Sequence, residues 1–156
     1  MSIKGYCLCK TVQYELDGEV GDAVRCYCRS CQCVTGSAFA TVAMAEASRF
    51  RITAGEDKIS SFESSPGKRR HFCANCGSAI YTMLDSDQQT YRIRVGGLED
   101  SLGAKGSSDA KGSLYANGSL SANGSAGVRV QKHIFVAEKV SWYEIADDLP
   151  QFDGWP

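Results

Sequence analysis

The sequence predicts a mainly β fold organised around two metal sites. Three observations carry this: short segments with apolar and polar residues in alternation, glycine or proline between them, and eight cysteines gathered in three clusters. In chain order, the alternating segments are TVQYEL at 11–16, FATVAM at 39–44, AIYTML at 79–84, YRIRV at 91–95, and two more at 128–136 and 141–145. β-Branched and aromatic residues at a period of two fit half-buried strands. Gly18, Gly21, Gly36, Gly55, Pro66-Gly67 and Gly96-Gly97 punctuate them. No stretch sustains a helical period beyond about three turns, and short helical turns fit only at 29–32 and 45–49.

At 156 residues the chain suits one domain, 1–156, long enough to bury a substantial core. One stretch departs from the strand pattern. Residues 102–125 read LGAKGS, SDAKGS, LYANGS and LSANGS, four tandem hexads. A hexapeptide β-helix needs several stacked coils of about three hexads each, and four hexads cannot make a stack. The composition instead predicts a Gly/Ser-rich flexible loop inserted at about 102–127. Its Asn-Gly-Ser sequons at Asn117 and Asn123 matter only on a secretory route.

Charge excludes several partners. With 17 basic and 18 acidic residues the formal charge is −1, which gives no bulk attraction to nucleic acid or an anionic membrane. No apolar run approaches the ~20 residues that span a bilayer. The N-terminal MSIKGYCLCKTVQY has no apolar core or small-residue cleavage site of the secretory kind. A cytoplasmic protein is therefore expected, and reduced, clustered cysteines there read as metal ligands rather than a disulfide framework. A thioredoxin-like reading of Cys73-Ala74-Asn75-Cys76 lacks the βαβ surroundings it needs. The oligomeric state stays open.

The cysteines fall as Cys7-x-Cys9, Cys26-x-Cys28-x-x-Cys31-x-Cys33 and Cys73-x-x-Cys76. Cys7, Cys9, Cys73 and Cys76 supply the four thiolates of a closed tetrahedral zinc, a structural staple between the N-terminus and the middle of the chain. Gly77 after the second pair lets the backbone turn back toward a sulfur. The middle cluster allows two arrangements. Cys26, Cys28 and Cys31 alone would leave zinc an open position; Cys33 as a fourth ligand would close it. Four ligands from eight consecutive residues crowd the backbone, which favours the open form.

An open three-thiolate zinc would hold a substrate thiol as thiolate, below its usual pKa of about 8.5. A thiolate of this kind attacks carbonyl carbon, and the reverse reaction cleaves a carbon–sulfur bond. Arg25, Arg29 and the run Lys68-Arg69-Arg70-His71 are candidates to orient an anionic thiol, although the run could equally offset the charge of the adjacent Cys73/Cys76 site or face solvent. His133, ahead of Ile134-Phe135-Val136, reads as a hydrogen-bonded core residue, and His71 as an outer donor to a thiolate.

Gly5-Tyr6-Cys7-Leu8-Cys9, Cys26-Tyr27-Cys28-Arg29-Ser30-Cys31 with Gly36-Ser37-Ala38-Phe39, Phe72-Cys73-Ala74-Asn75-Cys76-Gly77-Ser78, His133-Ile134-Phe135-Val136, Lys139, Trp142 and Asp148-Leu149-Pro150-Gln151-Phe152 together resemble the glutathione-dependent formaldehyde-activating (GFA) or centromere-protein-V-like family. The resemblance implies stacked antiparallel sheets of the β-tent kind and two zincs. Cys7, Cys9, Cys73 and Cys76 match its structural ligands, and Cys26, Cys28 and Cys31 its catalytic ones. The implied activity is that of a carbon–sulfur lyase acting on glutathione and formaldehyde or a related thiol adduct. A non-catalytic zinc-stabilised binding module, with Cys33 closing the middle site, is the alternative. The chain departs from the family at Lys10, where glycine is usual, at Tyr27, where histidine is common, and at Cys33, where a basic residue is typical.

Overall fold

The computed structural model describes residues 2–99 and 128–156, so the hexad segment lies outside the described residues. Ten strands form two sheets. β1 (Ser2–Tyr6), β2 (Gln13–Asp17) and β5 (Phe50–Ala54) make a small sheet in the order β1-β2-β5. The large sheet runs β10-β3-β4-β9-β8-β7-β6. Its strands are β3 (Ala23–Cys26), β4 (Ala40–Glu46), β6 (Ile59–Ser65), β7 (Lys68–Cys73), β8 (Ala79–Leu84), β9 (Asp87–Arg94) and β10 (Val130–Ile134). Pairing is antiparallel except between β10 and β3, so the large sheet is mixed.

Alternation along the strands explains why two layers form. On β2 and β1, Tyr14, Leu16 and Ile3 are buried and pack with Ala23, Ala43, Ala45, Ile80 and Ile93 of the large sheet. The intervening residues of β3 and β4 point the other way. Val24, Cys26, Ala40 and Val42 join Cys31 and Ile134 in a second cluster on the opposite face. The large sheet thus has one face on the small sheet and another that carries the middle cysteines.

The single α-helix among the described residues, α1 (Arg29–Thr35), sits over that second face. Its first free N–H, on Arg29, donates to Glu138 Oε2 at 2.7 Å, and Gln32 Nε2 donates to the Glu138 carbonyl at 2.9 Å. Gly36 ends it in the left-handed region at φ 61°, with its N–H on the Gln32 carbonyl, a conformation glycine adopts without strain. The tail returns beside β10: His133 N–H donates to Pro150 O and Phe152 N–H to His133 O. The HIFV and DLPQF segments are therefore one paired unit.

The structure differs from the sequence reading at 141–145, which forms a turn and irregular chain instead of a strand. There Tyr143 packs its ring on Phe39 and Tyr27, while Lys139 Nζ donates to the Tyr143 carbonyl at 2.6 Å. Local side-chain packing has won over strand propensity.

Candidate metal centres

Cys7 and Cys9 follow β1, and Cys73 and Cys76 bracket the turn between β7 and β8. All four sulfurs lie within 4.8 Å of one another. A tetrahedral zinc with bonds of about 2.3 Å sets neighbouring sulfurs about 3.8 Å apart. Cys7 and Cys9 are separated by 3.5 Å and Cys9 and Cys73 by 3.9 Å. Four thiols at these separations fit such an ion.

The two turns that present these sulfurs are built alike. Lys10 N–H donates to Cys7 O at 2.9 Å and Gly77 N–H to Cys73 O at 2.8 Å, and both residues are left-handed, at φ 61° and 75°. Gly77 thus turns the backbone as expected, with its amide on a carbonyl instead of a sulfur. Other donors reach the sulfurs directly: Val12 N–H to Cys7 Sγ and Asn75 Nδ2 to Cys9 Sγ, each at 3.2 Å. Thr11 Oγ1 lies 3.3 Å from Cys9 Sγ, and with Asn75 it holds that thiol down at about 5. Burial pushes Cys7 up to about 11. Ser78 ties the turns together, accepting Leu8 N–H at 3.0 Å while lying 3.2 Å from Cys76 Sγ.

Cys26 at the end of β3, Cys28 at the entry to α1 and Cys31 inside it form the second group, again within 4.8 Å. Cys33 is exposed and stands outside this group. Hydrogen bonds with Cys26 and Cys28, helped by Arg94 and Arg70, hold the Cys31 thiol well below its ordinary value, while Cys28, Cys31 and burial push Cys26 up. Two buried thiols and the half-buried Cys28 thiol thus share one locus that suits a cation.

One hollow adjoins this group, and a second adjoins that hollow in turn. One of about 50 Å³ is lined by Cys26, Cys31, Lys68, Arg70, Arg92 and Arg94 among others. The other, about 340 Å³, shares Arg70, Thr82 and Arg94 with it and extends to Val34, Phe62 and Phe72.

The candidate cations separate accordingly. Lys68 and Arg70 line the smaller hollow. Arg69, the alternate residue on the strand, pairs with Asp85 at 3.0 Å. Arg25 pairs with Asp147 at 2.9 Å and lies over Phe39, and Arg29 bonds Gln32. Arg92 and Arg94 were not among the expected residues. Their signal was the alternation in Tyr91-Arg92-Ile93-Arg94, which puts two arginines on the face opposite buried Ile93.

Both histidines are placed. His133 is fully buried; Nε2 donates to Asp147 Oδ1 at 2.7 Å, and Nδ1 accepts from the Tyr27 hydroxyl at 3.2 Å. It is a hydrogen-bonded core residue. His71 corrects the expectation of an outer donor to a thiolate: its ring stacks on Tyr81 at 4.2 Å and 7°, and its buried Nδ1 has no hydrogen-bond partner. The aromatic column of Tyr81, Tyr91 and Phe50 gives that ring a larger contact than a sulfur would.

Fold and site together define a class: a two-sheet β protein with one four-thiol and one three-thiol group. A family model described as glutathione-dependent formaldehyde-activating enzyme matches residues 2–117. The chain belongs to that family. It is 27% identical over 84 residues to a Colletotrichum graminicola protein, 54% of this chain and 44% of the relative. A Fusarium vanettenii protein is 26% identical over 81 residues, 52% and 44% of the two chains. Both relatives are provisionally named glutathione-dependent formaldehyde-activating enzyme, and the match spans less than half of their length. A crystal structure of a Rhodobacter sphaeroides protein is similar at a TM-score of 0.52 and 28% identity, covering 62% of this chain and 87% of that one.

Proposed function

We propose that this chain is a carbon–sulfur lyase that makes or breaks adducts between a small thiol and an aldehyde, with glutathione and formaldehyde the pair its family points to. One observation carries the reading. Cys26 and Cys31 of the three-thiol group line an arginine-lined hollow, and among the described residues no fourth His, Cys, Asp or Glu atom joins Cys26, Cys28 and Cys31. These three cysteines would hold one zinc and Cys7, Cys9, Cys73 and Cys76 a second, structural one, matching the two thiol groups. Zinc at the three-thiol site supplies the positive charge that keeps an added thiol deprotonated at neutral pH.

Arg70 and Arg94 favour an anionic thiol beside the group. The thiolate sulfur donates its electron pair to the aldehyde carbon and the carbon–sulfur bond forms. The carbonyl π pair moves to oxygen, which takes a proton from solvent. In reverse the hydroxyl loses that proton and the carbon–sulfur bond breaks. This balance needs no carboxylate, and no Asp or Glu lines either hollow. Eight free thiols suit a reducing, cytoplasmic setting. The closed-site binding module has less support, because it needs Cys33 in the group.

Metal analysis under reducing conditions, coupled to NMR exchange between glutathione and formaldehyde, tests the proposal. The expected result is zinc in both groups and accelerated exchange. Cys28→Ser then loses about one zinc per chain and the acceleration. Undiminished exchange in that variant sinks the reading.

A further inference from the structure

The two hollows meet at a common wall formed by Arg70, Thr82 and Arg94. Thr82 on β8 pairs with Arg70 on β7 and with Arg92 on β9, and Arg94 is on the same face of β9. A small side chain between two long ones leaves space between the guanidinium groups. The cysteine group is on one side of this wall; Val34, Phe62 and Phe72 are on the other.

Arg70 and Arg94 are only 5% and 8% exposed. Arg70 Nη2 and Arg94 Nη1 are buried with no hydrogen-bond partner, although Arg70 Nε donates to Ser64 Oγ at 2.8 Å. Among the described residues neither forms an ion pair, whereas Arg69 has Asp85 and Arg92 has Asp87. Buried guanidinium N–H groups without acceptors are costly, and the fork they present suits a carboxylate. Thiolate charge nearby favours the cations but offers these N–H groups no oxygen.

The far side of the wall has a different character. At about 340 Å³ the larger hollow is within the size of small-molecule sites, roughly 300–1,000 Å³. Phe62 on β6 is 65% exposed and Val34 on α1 is 42% exposed, and both line it. Two exposed apolar side chains at one hollow offer an apolar group a surface to cover.

We propose that the thiol this site selects carries a carboxylate held by Arg70 and Arg94, with its sulfur toward Cys26, Cys28 and Cys31 and an aryl-sized apolar group in the larger hollow. The sulfur's role rests on the lyase reading; the carboxylate and aryl contacts do not. Such a ligand would be preferred over the polar tripeptide glutathione.

Titration calorimetry with 3-phenylpropanoate, which has no thiol, tests the contacts apart from the chemistry. It is expected to bind the metal-loaded protein about tenfold or more tightly than acetate or neutral 3-phenylpropanamide. Arg94→Gln and Arg70→Gln lose about tenfold in that affinity. Phe62→Ala, at an exposed position that leaves the fold intact, brings 3-phenylpropanoate down toward acetate. Equal binding of all three probes, or full affinity in Phe62→Ala, overturns the proposal. Glutathione turnover without 3-phenylpropanoate binding overturns it alone; binding without any Cys28-dependent turnover supports it and removes only the lyase reading.

Discussion

Cys31 and Cys33 lie two positions apart on α1, and the helix buries the first beside Cys26 and Cys28 while leaving the second in solvent. Two helical positions differ by about 200° in direction, so one helix cannot aim both sulfurs at one ion. Cys33→Ser is therefore expected to retain the wild-type zinc content and to change stability by no more than about 0.5 kcal/mol, the usual range for an exposed site. Cys31→Ser is expected to lose about one zinc per chain. Elemental analysis of both purified variants checks this; loss of metal from Cys33→Ser would place that sulfur in the site after all.

Lys10 occupies a left-handed turn at φ 61° that its counterpart Gly77 fills without strain. A side chain in that region costs about 1–2 kcal/mol, and asparagine tolerates it better than most. An exposed cation–π contact, Lys10 Nζ over Tyr6 at 5.3 Å, offsets part of the strain, worth about 0.5–1 kcal/mol. Lys10→Asn is expected to stabilise the protein by about 0.5 kcal/mol and β-branched Lys10→Val to destabilise it by about 1 kcal/mol. Denaturant midpoints of the zinc-loaded variants provide the test, and the reverse order would show that the turn is unstrained.

These two cases show what sequence spacing conveys. Cysteine clusters are local patterns, so Cys7-x-Cys9 and Cys73-x-x-Cys76 are legible from spacing alone. Strong alternation marked β8 and β9 in the same way, at 79–84 and 91–95. β3 has only four residues and β6, ISSFESS, is a polar edge strand, so neither carries a clear period. β10 matched 128–136, but its parallel pairing to β3 depends on a partner more than a hundred residues away. The arginine wall needed more still. Arg70 and Arg94 become neighbours only once β7, β8 and β9 are in register, which no spacing within one segment encodes.

Tyr27 stands between two cysteines of the middle group, yet its ring packs on the other side among Phe39, Tyr143 and His133. Burial pushes its phenol up to about 12, so it serves as a neutral donor to His133 Nδ1. Tyr27→Phe removes the donor and strands that buried nitrogen, at an expected cost of about 1–3 kcal/mol. Zinc content should not change, because the hydroxyl touches neither thiol group. A thermal melt paired with metal analysis separates the two effects; zinc loss at unchanged stability would mean Tyr27 acts on the cysteines instead of the core.

Asn75 links the four-thiol group to pH. Its Nδ2 donates to Cys9 Sγ at 3.2 Å, and with Thr11 it holds that thiol at about 5 against an ordinary 9.0. A folded-state pKa below the unfolded one means fewer protons bound in the fold. The stabilisation is fully present above about 9 and declines as pH falls toward 5 and through it. Metal binding follows the same direction, since protons compete for the thiolate. Asn75→Ala removes one donor, raises the Cys9 pKa and makes protonation easier. Zinc release from this group is then expected at a pH higher by roughly half a unit. A chromogenic chelator followed from pH 7.5 to 4 reads the release, and a Cys28→Ser background leaves the four-thiol zinc as the one observed. A midpoint unchanged or moved to lower pH would show that the Asn75 amide does not stabilise the thiolate.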